Sequence, residues 1–140
     1  MHDSAKSRRR VLQLLLSGIA ALAGLPRRAL AKGAFAGPHP EPRPGITAAR
    51  VLKADQIESA EVRAIFDKVR EIPQIVDGIR CNCGCADLEG FYSLLSCYED
   101  KGMARHCLIC QGQATLVHEL HTKGWSLNGI RTAVDAKFGG

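Results

Sequence analysis

Residues 81–85 read Cys81-Asn82-Cys83-Gly84-Cys85, three thiols in five positions. Cys97 follows, then Cys107-Leu108-Ile109-Cys110, so all six cysteines of the 140-residue chain fall between 81 and 110. The loop has neither a helical nor a strand period. Gly84 permits a positive φ between two thiols. The flanking sequence therefore has to supply the scaffold, and it does so with helical patterns on both sides.

Upstream, Val62, Ile65, Phe66, Val69 and Ile72 recur at spacings of three and four, which predicts a helix with one apolar face. Asp55 with Glu58, or Ser59 alone, caps its start. Pro73 ends it and suits the first turn of a second short helix carrying Ile75, Val76 and Ile79. Asp77-Gly78 releases the chain towards Cys81. Downstream, residues 81–90 read as an irregular loop ending at Gly90. Phe91, Tyr92, Leu94 and Leu95 supply one or two helical turns, and residues 99–102 a tight turn. A third helix is predicted over residues 107–123, its apolar face formed by Leu108, Ile109, Ala114, Leu116, Val117 and Leu120. Gly124 stops it. Ser126 caps a last helix in which Leu127, Ile130, Val134 and Phe138 point one way, and Trp125 packs at the turn between the two. Strand signals are weak throughout. The expected fold is all-α, a small bundle of about four short helices around the cysteine-rich loop.

The first 31 residues predict a cleavable leader. Ser7-Arg8-Arg9-Arg10-Val11-Leu12-Gln13 fits the twin-arginine export pattern. An apolar run over residues 11–25 and an Ala29-Leu30-Ala31 cleavage signal follow. The run is shorter than the roughly 20 apolar residues of a membrane span, so no anchor is expected in the mature form. Without residues 1–31 the chain has 13 basic and 13 acidic residues. The basic pI belongs to the leader, and nothing beyond it calls for a nucleic-acid partner. Residues 32–54 read as a Pro-rich linker. Pro38, Pro40, Pro42 and Pro44 make it a stiff spacer in which His39 is solvated. Residues 55–140 form the cysteine-rich domain.

Thiolates are soft ligands suited to Cu(I), zinc and iron–sulfur centres. Cys81, Cys83 and Cys85 can converge from one loop. Cys107 and Cys110 lie one helical turn apart, where a helix start favours thiolate. Cys97 closes the set, and His106 beside Cys107 is the best histidine candidate. His121, about 16 Å along a helix from Cys110, cannot share a mononuclear site with it. His118 and His121 therefore read as surface or interfacial residues. Gln111 after Cys110 excludes c-type haem attachment. An exported protein also admits structural disulfides. A domain folded in a reducing compartment before twin-arginine export cannot depend on them, whereas a metal removes that difficulty.

The C-x-C-G-C loop, Cys97-Tyr98, the C-x-x-C pair and the closing Gly124-x-Ser126-x-x-x-Ile130 pattern resemble the exported bacterial proteins named for a CYCXC or PCYCGC motif. The resemblance spans residues 70–140 and implies a small exported cysteine-rich domain with metal binding as its expected property. Arg80 and Asn82 stand where that motif has Pro and Tyr. Phe91 and Tyr92 stand where some members carry His. Residues 105–139, with Cys107-Leu108-Ile109-Cys110-Gln111-Gly112-Gln113, are also similar to the thiol-reductase subunit family of cytochrome c maturation. That family has one C-x-x-C pair and a membrane anchor, which the C-x-C-G-C loop and the leader here do not fit.

The expectation is an exported, periplasmic metal-binding protein rather than an enzyme. Its ligands are Cys81, Cys83, Cys85, Cys97, Cys107, Cys110 and His106; its metal is Cu(I), with zinc next. Its partner is a periplasmic metalloprotein or a thiol protein. The alternatives are a thiol–disulfide oxidoreductase using Cys107 and Cys110, and a disulfide-stapled interaction domain.

Overall fold

A computed structural model describes residues 37–139; the leader and its cleavage signal lie outside them. Among the described residues the regular structure is helical throughout. It comprises α1 (Ala60–Glu71), α2 (Pro73–Asp77), α3 (Leu108–Thr122) and α4 (Leu127–Phe138), with 3₁₀ turns at Ala48–Arg50, Ala54–Gln56, Cys85–Asp87 and Leu94–Tyr98. None of these helices is long and apolar enough to cross a membrane. The all-α expectation holds.

The helix boundaries follow local chemistry. Ser59 Oγ accepts from the Val62 N–H at 3.3 Å and starts α1. Pro73 occupies the first turn of α2, where its missing N–H leaves no intrahelical bond unmade. At the end of α3, Gly124 takes φ 81°; its N–H bonds the His121 carbonyl at 2.9 Å and the Trp125 N–H bonds that of Leu120 at 3.0 Å. This paired closure satisfies two end carbonyls and needs a residue tolerant of the left-handed region. Ser126 Oγ then accepts from the Gly129 N–H at 3.2 Å to start α4.

Helix α3 packs between α1 and α4, and α2 packs against the 94–98 turn. Phe66, Val76, Ile79, Leu94, Leu95, Val117, Ile130 and Val134 are fully buried where these elements meet. Tyr98 joins core to site. Its ring meets Phe66 edge-on at 4.6 Å, and its hydroxyl donates to the Cys110 carbonyl at 2.8 Å.

Two sequence expectations are corrected. Sequence spacing puts Leu108 and Ile109 on the buried face of α3, but Leu108 is 81% exposed and Ile109 is also exposed. The buried stripe is Cys110, Gln113, Ala114, Val117 and Leu120, so the helix is turned to bring a thiol and an amide inward. The Pro-rich stretch is extended, as proline requires, yet its described part does not stand off the domain. Residues 37–44 run along the folded body, and Ile46, Val51 and Leu52, inside the expected linker, are buried. Arg43 donates to Asp77 from its guanidinium at 2.7 Å and from its backbone N–H at 2.8 Å. Tyr92 donates to the Glu41 carbonyl at 2.6 Å, and Arg131 to that of Pro40 at 2.7 Å. Pro42 seats on Gly78, where a Cβ would come within 2.9 Å of the proline ring.

Candidate metal centre

The 81–85 loop is curled rather than extended. Gly84 takes φ 94°, a conformation costly for residues with a Cβ, and leads directly into the 3₁₀ turn headed by Cys85. An extended i, i+2 pair would sit roughly 7 Å apart. The curl instead brings Cys81 and Cys83 sulfurs to 3.2 Å and Cys83 and Cys85 sulfurs to 2.7 Å. Helix α3 presents Cys110 from its first turn, 3.6 Å from Cys81 and 3.5 Å from Cys83. Cys97 arrives on the Leu94–Tyr98 turn. The Sγ atoms of Cys81, Cys83, Cys85, Cys97 and Cys110 all lie within 4.8 Å of one another. All six cysteines are free.

This is a group that can hold a metal ion. A tetrahedral ion bonded to sulfur at ~2.3 Å sets its ligands about 3.8 Å apart. The triangle of Cys81, Cys83 and Cys110, with edges of 3.2, 3.5 and 3.6 Å, needs only a few tenths of an ångström of spreading to match. Burial keeps competing water away from four of the five sulfurs; Cys83 is the one that is only partly buried.

Two sequence-predicted ligands stand apart. Cys107 and Cys110 would share a face only if both were helical. Cys107 is instead the residue before α3, with extended dihedrals of φ −104° and ψ 106°, so it lies outside the five-sulfur group. His106 is exposed and lines a surface pocket with Gln56, Ile57, Glu58, Ser59, Val62 and Arg105. The 102–106 segment is tied to the site by the Ala104 N–H, which bonds the Cys97 carbonyl at 2.9 Å, and the His106 imidazole is not among the converging ligands. His118 pairs with Glu71 at 2.6 Å across the α1–α3 contact, an interfacial role as expected.

The electrostatics of the group resemble one anion shared among thiols. Hydrogen bonds with Cys110 and then Cys97 pull the Cys81 thiol down to about 3, against the opposing effect of burial. Cys110 is pushed up by its bonds to Cys81 and Cys97 and then by burial. Burial raises Cys83 and Cys85. For Cys97 the bond with Cys110 lowers the pKa, but the bond to Cys81 and burial outweigh it. The thiols therefore titrate as a coupled group, with Cys81 driven in the opposite direction from Cys83, Cys85, Cys97 and Cys110. Cys110 also sits in the first turn of α3, whose positive end favours thiolate.

Three contributors escaped the sequence reading. Gln113, fully buried, accepts from the Asn82 N–H at 3.1 Å and donates to the Arg80 carbonyl at 3.3 Å, clamping the loop onto α3. Its position three residues after Cys110 was the available signal. His39 is not solvated: its Nδ1 accepts from the Arg80 N–H at 2.9 Å, immediately before Cys81, and its Nε2 meets Asp135 at 3.1 Å. That pattern assigns the ring proton to Nε2. Met103 places its thioether 4.0 Å from the Cys83 sulfur. Compared with known proteins, the chain matches no family, no curated protein and no solved structure.

Proposed function

We propose that the protein is an exported thiolate metal-binding protein that holds Cu(I) for storage or delivery. One observation carries the reading: five thiol sulfurs from three segments within 4.8 Å of one another. Charge favours Cu(I) over zinc. Four thiolates on one dication leave two uncompensated negative charges to bury, which is costly, and the fifth sulfur idle. One Cu(I) held by two thiolates leaves a single negative charge while the other thiols keep their protons, and bridging sulfurs give further ions a place. Export by the twin-arginine route suits a cargo loaded before transport.

The buried sulfur of Cys110 is in contact with the loop thiols rather than presented to a protein substrate, which weighs against a thiol–disulfide exchange role for the C-x-x-C pair. Native mass spectrometry of protein purified anaerobically, together with element analysis, tests the reading. At least one equivalent of copper is expected, with all six thiols reduced. Less than about half an equivalent of any metal, or a mass lacking six hydrogens, sinks it.

A further inference from the structure

Met103 belongs to no hydrophobic cluster. It is 39% exposed, yet its sulfur lies 4.0 Å from the one incompletely buried thiol of the group. Its segment is fixed onto the site by backbone. The Ala104 N–H bonds the Cys97 carbonyl at 2.9 Å, and Gly102 passes so close that an added Cβ would collide with that carbonyl at 2.1 Å. No side chain fits at 102, so glycine is what lets the turn lie against Cys97. A neutral, soft thioether is thereby held at the rim beside Cys83. Thioethers suit Cu(I), whereas zinc takes Cys, His, Asp and Glu.

Resting on the Cu(I) reading above, we infer that Met103 and Cys83 form the port through which Cu(I) enters and leaves the centre. In loading, the Cys83 thiol loses its proton to solvent, and its sulfur and the Met103 thioether bind the ion as one donor ligand departs. The Cys110 sulfur, 3.5 Å from Cys83, then displaces the thioether and any donor ligand still on the ion, which departs to solvent with the Cys110 proton. Copper stays in the +1 state, and the thioether is freed for the next ion. Unloading is the same path reversed. Met103 therefore sets rates in both directions and leaves the final affinity alone.

The test uses the full reduced chain without oxygen and Cu(I) bound to bicinchoninate, whose colour reports transfer. Met103→Leu keeps apolar volume and removes sulfur; Met103→Gln keeps length and removes sulfur. Each is expected to slow Cu(I) uptake, and its return to excess chelator, at least five-fold. Copper capacity and affinity stay within two-fold of the unaltered protein, and Cd²⁺ uptake keeps its rate. A smaller slowing in either variant overturns the port, as does weakened affinity with an unchanged uptake rate. No uptake by the unaltered protein overturns the Cu(I) reading itself and the port with it. Normal uptake with indifferent variants removes the port alone.

Discussion

Gln113 has no exposure, and its amide answers two backbone groups of the thiol loop, the Asn82 N–H and the Arg80 carbonyl. Replacing it by Leu leaves the Asn82 N–H buried without an acceptor, a loss of about 1–3 kcal/mol. Partners that orient ligands typically change metal affinity about 10–100-fold. Gln113→Leu is therefore expected to lower chaotrope stability by that amount and Cu(I) affinity at least tenfold in a chelator competition. An affinity equal to the unaltered protein's would remove Gln113 from the site. The cysteines separate in the same assay. Cys110→Ser should reduce copper capacity, because a hydroxyl is a hard ligand in place of a soft one. Cys107→Ser should leave capacity intact, since that sulfur stands outside the group. Equal losses in the two variants would mean that Cys107 swings inward on binding. Sequence spacing could nominate all six thiols but could not drop Cys107, because helical phase starts one residue too late to include it.

At the scale of elements, what could be read was whatever short-range chemistry decides. Ser59, Pro73, Gly124 and Ser126 act within four residues of themselves, so the helix ends could be placed from the sequence. The 37–44 arm could not, because its partners lie dozens of positions away: Arg80, Asp77, Tyr92 and Arg131. Alternating prolines fix its extended shape and say nothing of where it docks. Asp77 is its main anchor. Burial pushes that carboxyl up, but bonds from the Arg43 guanidinium and backbone N–H, and then from Ser93, outweigh it, and its pKa lies below the usual value. The sign follows. Ionised Asp77 stabilises the fold fully above the ordinary carboxylate range, near pH ~4, and the contribution fades as pH falls through the lowered folded value. Unfolding free energies of the unaltered chain and Asp77→Asn should differ most above that range and converge in acid. A difference constant with pH would show that Asp77 acts through packing alone. Arg43→Ala, which leaves the buried carboxylate only the residue-43 N–H and the Ser93 hydroxyl, should cost about 1.5–3 kcal/mol near neutrality.

For the whole molecule the question is whether metal makes the fold or only finishes it. Small domains stapled by zinc unfold when the ion is removed, because their cores are too small to stand alone. Here α3 packs against α1 and α4, and Phe66, Val69, Val117, Ile130 and Val134 form a buried apolar layer that continues through Tyr98 to the thiols. At roughly 1.5–3 kcal/mol for each large apolar side chain fully buried, this layer holds the helices without a metal. The segment from 81 to 104 is different. It contains no α-helix, only 3₁₀ turns, and five thiols converge where it meets α3. Its order rests on backbone ties such as Leu94 N–H to the Ile79 carbonyl at 2.7 Å, on Gln113 and on whatever the sulfurs bind. Removing any bound metal anaerobically should therefore leave far-ultraviolet dichroism nearly unchanged and lower the melting temperature. Amide hydrogen exchange should rise over residues 81–104 while α1, the later turns of α3 and α4 stay protected. A metal-free chain that loses its helical signal altogether would place it with the metal-dependent small domains, and the apolar layer would then be too weak to define the fold.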